Sequence, residues 1–260
     1  MAKYLCDSAS LDKIASAIRS KTGKKNQLTF PNEFISEING IKTGGDIKTP
    51  AVSYTLDNNM NVASANFYEF ETIPISILVN LGALTTVTFS NVASKLTIIG
   101  GSAFENCGSL VVKNLPETLV WIQSAAFRKC KSYDFTTLPE TLTTIEGHAF
   151  DGLQPSNPLS GLSKIPSQLG ALYSKALPYF GIGISALDIP SSVVALESEC
   201  ICGGSPSLTI NFKGTPQSID AKAFIQAGGI TTINVPWAEG AVANAPWGAT
   251  NATINYGVKA

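Results

Sequence analysis

Charged side chains are scarce in this sequence. Of its 260 residues, 14% are charged and 44% are hydrophobic, and the formal net charge is −1. Soluble domains usually carry about 25% charged residues, so the surface of this protein must be rich in uncharged polar side chains. A near-neutral chain offers no electrostatic basis for binding nucleic acid or an anionic membrane, and the sequence predicts neither as a partner.

Long apolar runs are also missing. No stretch approaches the roughly 18 apolar residues of a membrane-spanning helix, which predicts no membrane insertion. The N-terminal stretch lacks the apolar core of a secretory signal. The five cysteines, an odd number, are typical of free thiols kept reduced in a cytoplasm. These features predict that the chain folds inside a cell.

What the sequence does contain is a repeat. Residues 115–127 read LPETLVWIQSAAF and residues 138–150 read LPETLTTIEGHAF, an offset of 138 − 115 = 23 residues. The isoleucine position recurs as Ile99, Ile122, Ile145, Leu172, Leu196 and Ile219, and the phenylalanine position as Phe104, Phe127, Phe150, Leu177, Ile201 and Phe224. A second ladder runs through Phe89, Val112, Phe135, Leu162, Leu187, Ile210 and Ile233. This periodicity indicates a solenoid, since one coil cannot bury its own apolar residues and stacked coils can.

Each repeat unit predicts a short strand, a turn, a second apolar pair, and a tight turn or short helical turn before the phenylalanine. Residues 154–161, with two prolines and a glycine, predict a loop inserted into one longer coil. The frame resembles the BspA-type leucine-rich repeat over about residues 84–235. The resemblance implies a curved solenoid that binds proteins or surfaces, and it implies no chemistry. The number of repeats predicts a β-rich solenoid of about six or seven coils.

The N-terminal residues form a different pattern. Apolar residues at helical spacing, with glycines after them, predict two short helices, so residues 1–41 are expected to be a small helical attachment module. Residues 42–50 are expected to be a linker. The apolar residues expected to attach the module to its partner are Leu11, Ile14, Ile18, Phe30, Phe34 and Ile38.

Both ends of the chain resemble proteins of phages and prophages of Gram-positive bacteria. The stretch LDKIASAIRSKTGKKNQLTFPNEFISEI is similar to a module common in their tail and other virion proteins, and INVPWAEGAVANAPWGATNATINYG resembles the C-terminal ends of the same proteins. The resemblance implies a virion structural protein assembled in the host cytoplasm. Its N-terminal module would contact other virion proteins, its solenoid would bind a host-surface protein or glycan, and homo-oligomers are expected.

The solenoid needs a cover at each end, because an open end exposes apolar side chains and strand edges. Residues 51–83 are expected to be an N-terminal cap or an irregular first coil, and residues 236–260 a C-terminal cap. Trp237 and Trp247 each follow a proline. They fit either packing within this cap or stacking on sugars of a ligand.

Residues that commonly carry chemistry are rare. His148 is the single histidine, and its counterparts in neighbouring repeats are Ala125 and Ser102, so we interpret it as an ordinary surface or half-buried residue. Cys200 and Cys202 stand too close for the usual zinc-ligand spacing, and Cys107 and Cys130 lie 23 residues apart as stacked ladder residues. The sequence therefore predicts no catalytic residue, metal site or cofactor.

Two alternatives to the virion protein remain. One is a bacterial adhesin or scaffold of the same repeat class. The other is a depolymerase acting on surface polysaccharide, for which Glu197 and Glu199 would point to one face of a strand. The fold prediction is common to all three: a mainly β protein with short helices, in which a leucine-rich-repeat solenoid follows a small helical module.

Overall fold

The structure is a computed structural model. It describes residues 52–68, 70–89, 95–133, 137–152, 164–178, 184–202, 207–225, 227 and 229–258. The predicted helical module at residues 1–41, the linker at 42–50 and the loop at 154–161 lie outside the described residues, so these three predictions stay predictions.

The described residues form β-strands joined by turns, with no α-helix among them. In chain order the strands are β1 (Val52–Leu56), β2 (Val62–Phe67), β3 (Thr72–Ile73), β4 (Thr86–Phe89), β5 (Ile98–Ile99), β6 (Val111–Val112), β7 (Trp121–Ile122), β8 (Ser132–Tyr133), β9 (Thr144–Ile145), β10 (Ala171–Leu172), β11 (Leu177–Pro178), β12 (Ala186–Ile189), β13 (Ala195–Leu196), β14 (Ile201–Cys202), β15 (Leu208–Phe212), β16 (Ser218–Ile219), β17 (Ile230–Val235) and β18 (Thr253–Tyr256). Tight turns precede the phenylalanines of the repeat, as one of the two predicted alternatives had it, and the short helices expected in the fold are not found in this part of the chain.

Short parallel strands stack along one side of the solenoid. Strands β3, β5, β7 and β9 form one sheet, and β10, β13 and β16 form another. Ile99 pairs with Ile122, and Ile122 with Ile145, so a step of 23 residues in sequence becomes a step of one strand in space. Seven strands in this column correspond to seven coils among the described residues, and the predicted solenoid is confirmed.

A second column contains the longer strands of the solenoid together with the short strands β6 and β8. Strands β2 and β4 pair in parallel, as do β6 and β8, while β12, β15, β17 and β18 form a four-stranded parallel sheet. Leu187 pairs with Ile210, and Ile210 with Ile233, which is the second ladder predicted from the sequence. All three side chains are buried, so the column turns its apolar residues toward the space between the two sets of strands.

The phenylalanines of the repeat form a continuous stack inside the coils. The ring centroids of Phe104 and Phe127 lie 5.2 Å apart with planes inclined by 14°. Those of Phe127 and Phe150 lie 5.5 Å apart with planes inclined by 4°. All three rings are buried. Burial of each side chain stabilises the fold by about 1.5–3 kcal/mol, and each coil depends on its neighbours for it.

The turns that precede these phenylalanines place non-glycine residues in the left-handed region. Ser102, Ala125 and His148 have φ angles of 53°, 56° and 60°. Their backbone N–H groups donate to carbonyls of the next coil, with N···O distances of 2.9, 3.1 and 2.8 Å to Ser124, Gly147 and Ser174. The same conformation is adopted by Ser76, Lys175 and Glu199. Hydrogen bonds between coils thus hold a backbone conformation that costs about 1–2 kcal/mol per L-residue.

We expect Ala125→Gly to raise the free energy of unfolding by about 0.5–1 kcal/mol. Glycine adopts positive φ without steric cost, which outweighs the greater entropy it gives the unfolded chain. The matched control is Ala126→Gly, where the methyl group is fully buried and the φ angle is not positive, so stability should fall. Urea unfolding measures the stability of both variants. An equal loss of stability in Ala125→Gly and Ala126→Gly would contradict the prediction.

The repeat extends beyond its predicted limits at both ends. Within residues 51–83, β1 and β2 form an antiparallel hairpin, and β2 and β3 already pair in parallel with β4 and β5. Within residues 236–260, β18 pairs in parallel with β17. Residues 51–83, expected to be a cap or an irregular first coil, therefore supply the first strands of both columns, and residues 236–260, expected to be a cap, add one strand to the second column.

Candidate functional site

The predicted attachment residues cannot be placed. Leu11, Ile14, Ile18, Phe30, Phe34 and Ile38 lie outside the described residues, and attachment through them remains a prediction.

Trp237 and Trp247 lie in the interior at the C-terminal end of the solenoid. Trp237 is 6% exposed and Trp247 is 0% exposed. Their ring centroids are 6.3 Å apart, and Trp237 lies 5.1 Å from Phe212 in an edge-to-face arrangement. The rings contact each other and the core, so in this arrangement they serve cap packing and present no open face to a sugar.

His148 takes part in a row of charges along the turns. Its Nδ1 lies 3.0 Å from Oδ2 of Asp151. Arg128 lies between two acids: its guanidinium is 3.7 Å from Asp151 and 3.2 Å from Glu105. His148 is 43% exposed in its side chain, as expected for a surface or half-buried residue, and its partner is an acid already shared with Arg128.

The described cysteines are buried thiols that form no disulfide. The Sγ of Cys107 donates to the carbonyl of Leu78, and that of Cys130 to the carbonyl of Phe104. Burial raises the pKa of Cys107 to about 11 and also raises the pKa of Cys130 and Cys200. Because the thiolate is the reactive form, these residues are poor nucleophiles at neutral pH.

We therefore expect native protein to protect these four thiols from a disulfide reagent at pH 8. In a Cys6→Ala variant, which removes the cysteine outside the described residues, their reaction should be at least about a hundredfold slower than in denaturant. The same sample unfolded in guanidinium should release four equivalents and serves as the control. A rapidly reacting thiol in the folded variant would contradict the prediction.

The carboxylates considered for a depolymerase have other partners. Glu197 and Glu199 follow β13 in a turn, where Glu199 has a φ of 56°, and the expected strand does not extend to them. Oε2 of Glu197 accepts a hydrogen bond from the backbone N–H of Ser174 at 3.0 Å. Oε2 of Glu199 lies 3.3 Å from Nζ of Lys175. Both side chains connect neighbouring coils.

A surface cavity of about 620 Å³ opens at the first strand of the four-stranded sheet. Its polar lining consists of Lys164, Ser167, Asp188, Ser191 and Lys213, and three apolar residues complete it. Asp188 projects from β12, where alternate residues face outward, while Lys213 follows β15. These elements bring together side chains from three successive coils.

Two ion pairs meet in or beside this cavity. Nζ of Lys164 lies 2.6 Å from Oε1 of Glu140, whose other oxygen accepts hydrogen bonds from the N–H and hydroxyl of Ser167, both at 3.0 Å. The hydrogen bonds from Lys164 and Ser167 lower the pKa of Glu140 to about 2. Nζ of Lys213 lies 3.1 Å from Oδ2 of Asp188. The cavity thus presents paired charges.

The pair around Asp188 also favours the ionised acid. Desolvation raises the pKa of Asp188, but hydrogen bonds from Asn211 and Lys213 outweigh it, and the pKa lies below its ordinary value. A carboxyl group that stays ionised at neutral pH is a poor general acid. The cavity can therefore bind a polar ligand by hydrogen bonds and ion–dipole contacts, and Asp188 in its lining is a poor proton donor at neutral pH.

Sequence patterns did not indicate this cavity. Glu140 lies in a turn of the repeat, and Lys164 lies shortly after the inserted loop, where the spacing of the repeat is least regular. Among the described residues, no group of three or more His, Cys, Asp or Glu side chains is arranged to hold a metal ion. The described residues also contain no helix with the length and hydropathy needed to cross a bilayer.

Two solved structures are similar to this chain. One is a leucine-rich repeat protein from Bacteroides ovatus, at 14% identity and a TM-score of 0.38, with 74% of this chain and 59% of that chain covered. The other is a leucine rich cell surface protein from Faecalibacterium prausnitzii, at 13% identity and a TM-score of 0.27, with 83% of this chain and 95% of that chain covered. The chain therefore spans less than two thirds of the length of the Bacteroides protein. No curated protein matches the sequence.

The repeat itself matches a known family. Six copies of the BspA type leucine rich repeat region are found over residues 52–160 and 162–241. The match starts before residue 84, as do the parallel strands, and together its two segments cover most of the chain. The chain belongs to the BspA-type leucine-rich repeat family.

Proposed function

We propose that this protein is a non-enzymatic recognition protein of a phage virion. Its solenoid would bind a ligand on the host surface, and residues 1–41 would attach it to other virion proteins. Proteins of the BspA-type repeat family are typically binding or scaffold proteins. The virion assignment is supported by the similarity of both chain ends to phage and prophage structural proteins of Gram-positive bacteria.

The main structural support for a recognition function is the outward surface of the sheet formed by β12, β15, β17 and β18. Its strands are parallel, and after a register shift between Leu208 and Thr209 they stay aligned, so the surface beyond that shift is regular over four coils. The cavity with Asp188 and Lys213 lies at one end of it. A regular polar surface beside a cavity offers a ligand many hydrogen-bonding groups on a rigid scaffold, as a binding protein requires.

Immunogold imaging of purified particles, with antibody raised against residues 84–260, tests the virion assignment. Label at the tail tip or baseplate would support receptor binding, and deletion of the solenoid should then abolish adsorption to host cells. Label over the capsid would instead place the protein in a head fibre. Absence of label from every particle would overturn the virion assignment and leave the bacterial surface adhesin or scaffold as the function to test.

A further inference from the structure

A three-residue motif recurs in the last three strands of the long-strand column. Thr-Ile-Asn occurs at residues 209–211, 232–234 and 253–255. Thr209 pairs with Thr232 and Thr232 with Thr253, and the asparagines follow the same register. Ala186 and Asp188 of β12 continue the two rows into a fourth strand. We call these eight aligned residues the Thr/Asn array.

The array faces outward because of the strand alternation. Ile210 and Ile233 of the motif are fully buried, so their neighbours on each strand project to the opposite face. Thr253 and Asn255 are exposed, and the array residues of β15 and β17 are partly exposed. Strands about 4.8 Å apart and alternate residues about 6.6 Å apart give a nearly flat array of about 14 Å by about 7 Å.

Hydrogen bonds hold the asparagine row in a fixed orientation. Nδ2 of Asn255 donates to Oδ1 of Asn234 at 2.8 Å, Nδ2 of Asn234 to Oδ1 of Asn211 at 2.8 Å, and Nδ2 of Asn211 to Oδ1 of Asp188 at 2.9 Å. Each amide has two donor hydrogens and two acceptor lone pairs. The row uses one donor of each asparagine, and so further donor and acceptor capacity remains for a ligand.

The threonine row adds hydroxyl groups that both donate and accept. Within the part of the chain that the structure describes, the hydroxyls of Thr209, Thr232 and Thr253 make no hydrogen bond to protein. The array has one ionised residue, Asp188, and Lys213 pairs with it at 3.1 Å. The surface is therefore uncharged overall and rich in preoriented hydrogen-bonding groups.

We infer that the Thr/Asn array binds an uncharged polysaccharide, lying across the strands with one end at the cavity beside Asp188. This inference rests on the proposed recognition function and names its ligand class. Sugar hydroxyls both donate and accept hydrogen bonds, and they can therefore pair with the threonine hydroxyls and with the asparagine amides. Repeating sugars also match a surface that repeats once per coil, so a polymer can engage several coils together.

Other ligand classes fit the array less well. Protein interfaces depend on buried aromatic or other large anchors, and the array offers only the methyl group of Ala186 as a purely apolar side chain. A polyanion would need unpaired cations, yet Lys213 and Lys164 at the cavity are each paired with an acid. Hydroxyl-rich, uncharged chains are the ligands that these groups complement.

The test measures binding of the full chain to a set of immobilised, uncharged polysaccharides from bacterial walls. Polyanionic wall polymers are immobilised beside them for comparison. The double variant Thr232→Val/Thr253→Val keeps β-branched residues in the strands and removes two hydroxyls. We expect its Kd to rise about tenfold. The matched control, Thr72→Val/Thr144→Val, makes the same change on the short-strand column and should bind as wild type. Thermal unfolding confirms that both variants are folded.

The outcomes separate this inference from the proposed function. Binding of labelled protein to host cells without binding to any uncharged polysaccharide would overturn the inference and leave the recognition function intact. Equal binding by both double variants, or preference for the polyanionic polymers, would also overturn it. Binding to an uncharged polysaccharide by a protein that immunogold never finds on particles would support the inference and overturn the virion assignment.

Discussion

Phe127→Ala is expected to lower the free energy of unfolding by about 3–5 kcal/mol, the range for removing a buried phenylalanine. Phe127 lies in the middle of the aromatic stack, with Phe104 on one side and Phe150 on the other. It is 1% exposed. Alanine would leave a cavity that the neighbouring coils cannot fill, since hydrogen bonds between coils fix their separation. Urea unfolding followed by tryptophan fluorescence measures the loss.

Two further variants make this prediction specific. Phe127→Leu should cost less than about 1.5 kcal/mol, because a similar apolar volume is kept and Leu177 holds the corresponding position in another coil. Phe70→Ala removes a partly exposed ring that packs on Phe67 at one end of the stack, and should cost less than half as much as Phe127→Ala. Similar losses in all three variants would contradict the role assigned to the stack.

Gly100→Ala is expected to lower the free energy of unfolding by about 2–3 kcal/mol, since inserting atoms into a packed site costs about this much. A Cβ atom at Gly100 would lie 2.6 Å from the carbonyl oxygen of Ile73 and 2.7 Å from the backbone nitrogen of Ile75. Both atoms belong to the backbone of the preceding coil, so no flexible side chain can move away. The coils would have to separate, which would lengthen the hydrogen bond from the N–H of Gly100 to Ile73, now 2.9 Å.

The adjacent glycine is the matched control for this effect. At Gly101 a Cβ atom would meet the Ser124 carbonyl oxygen at 3.4 Å, which is ordinary contact. Gly101→Ala should therefore change stability by less than about 1 kcal/mol. Thermal unfolding of the two variants under the same conditions compares them. A Gly101 variant as unstable as the Gly100 variant would show that the close approach between coils is not the cause.

The stacking of the coils could be predicted from sequence because it depends on equally spaced apolar residues. Ile99, Ile122 and Ile145 recur every 23 residues, and a residue that recurs once per coil must lie above its counterpart. The limits of the solenoid were harder to predict. Strands β2 and β3 precede the region where the motif is clear. Phe67 pairs with Phe89 and Ile73 with Ile99, but these offsets are 89 − 67 = 22 and 99 − 73 = 26 residues and depart from the period of 23.

The candidate site was mostly beyond prediction, for two physical reasons. Its ion pairs join residues about one coil apart, such as Glu140 and Lys164, and each pair occurs once, so periodicity does not reveal it. The Thr-Ile-Asn motif is visible in sequence, but its isoleucines alone were interpreted as a ladder. Its third copy lies in residues 236–260, where a cap was expected in place of another parallel strand.

The left-handed turns carry a consequence for protein engineering. At these positions the coils are joined through main-chain atoms, and serine, alanine, histidine, lysine and glutamate all occupy the same conformation. The connection between coils therefore depends little on which side chain occupies these positions. A column of such sites, one per coil along one edge of the solenoid, is a scaffold on which chosen functional groups can be displayed at regular intervals without redesign of the fold.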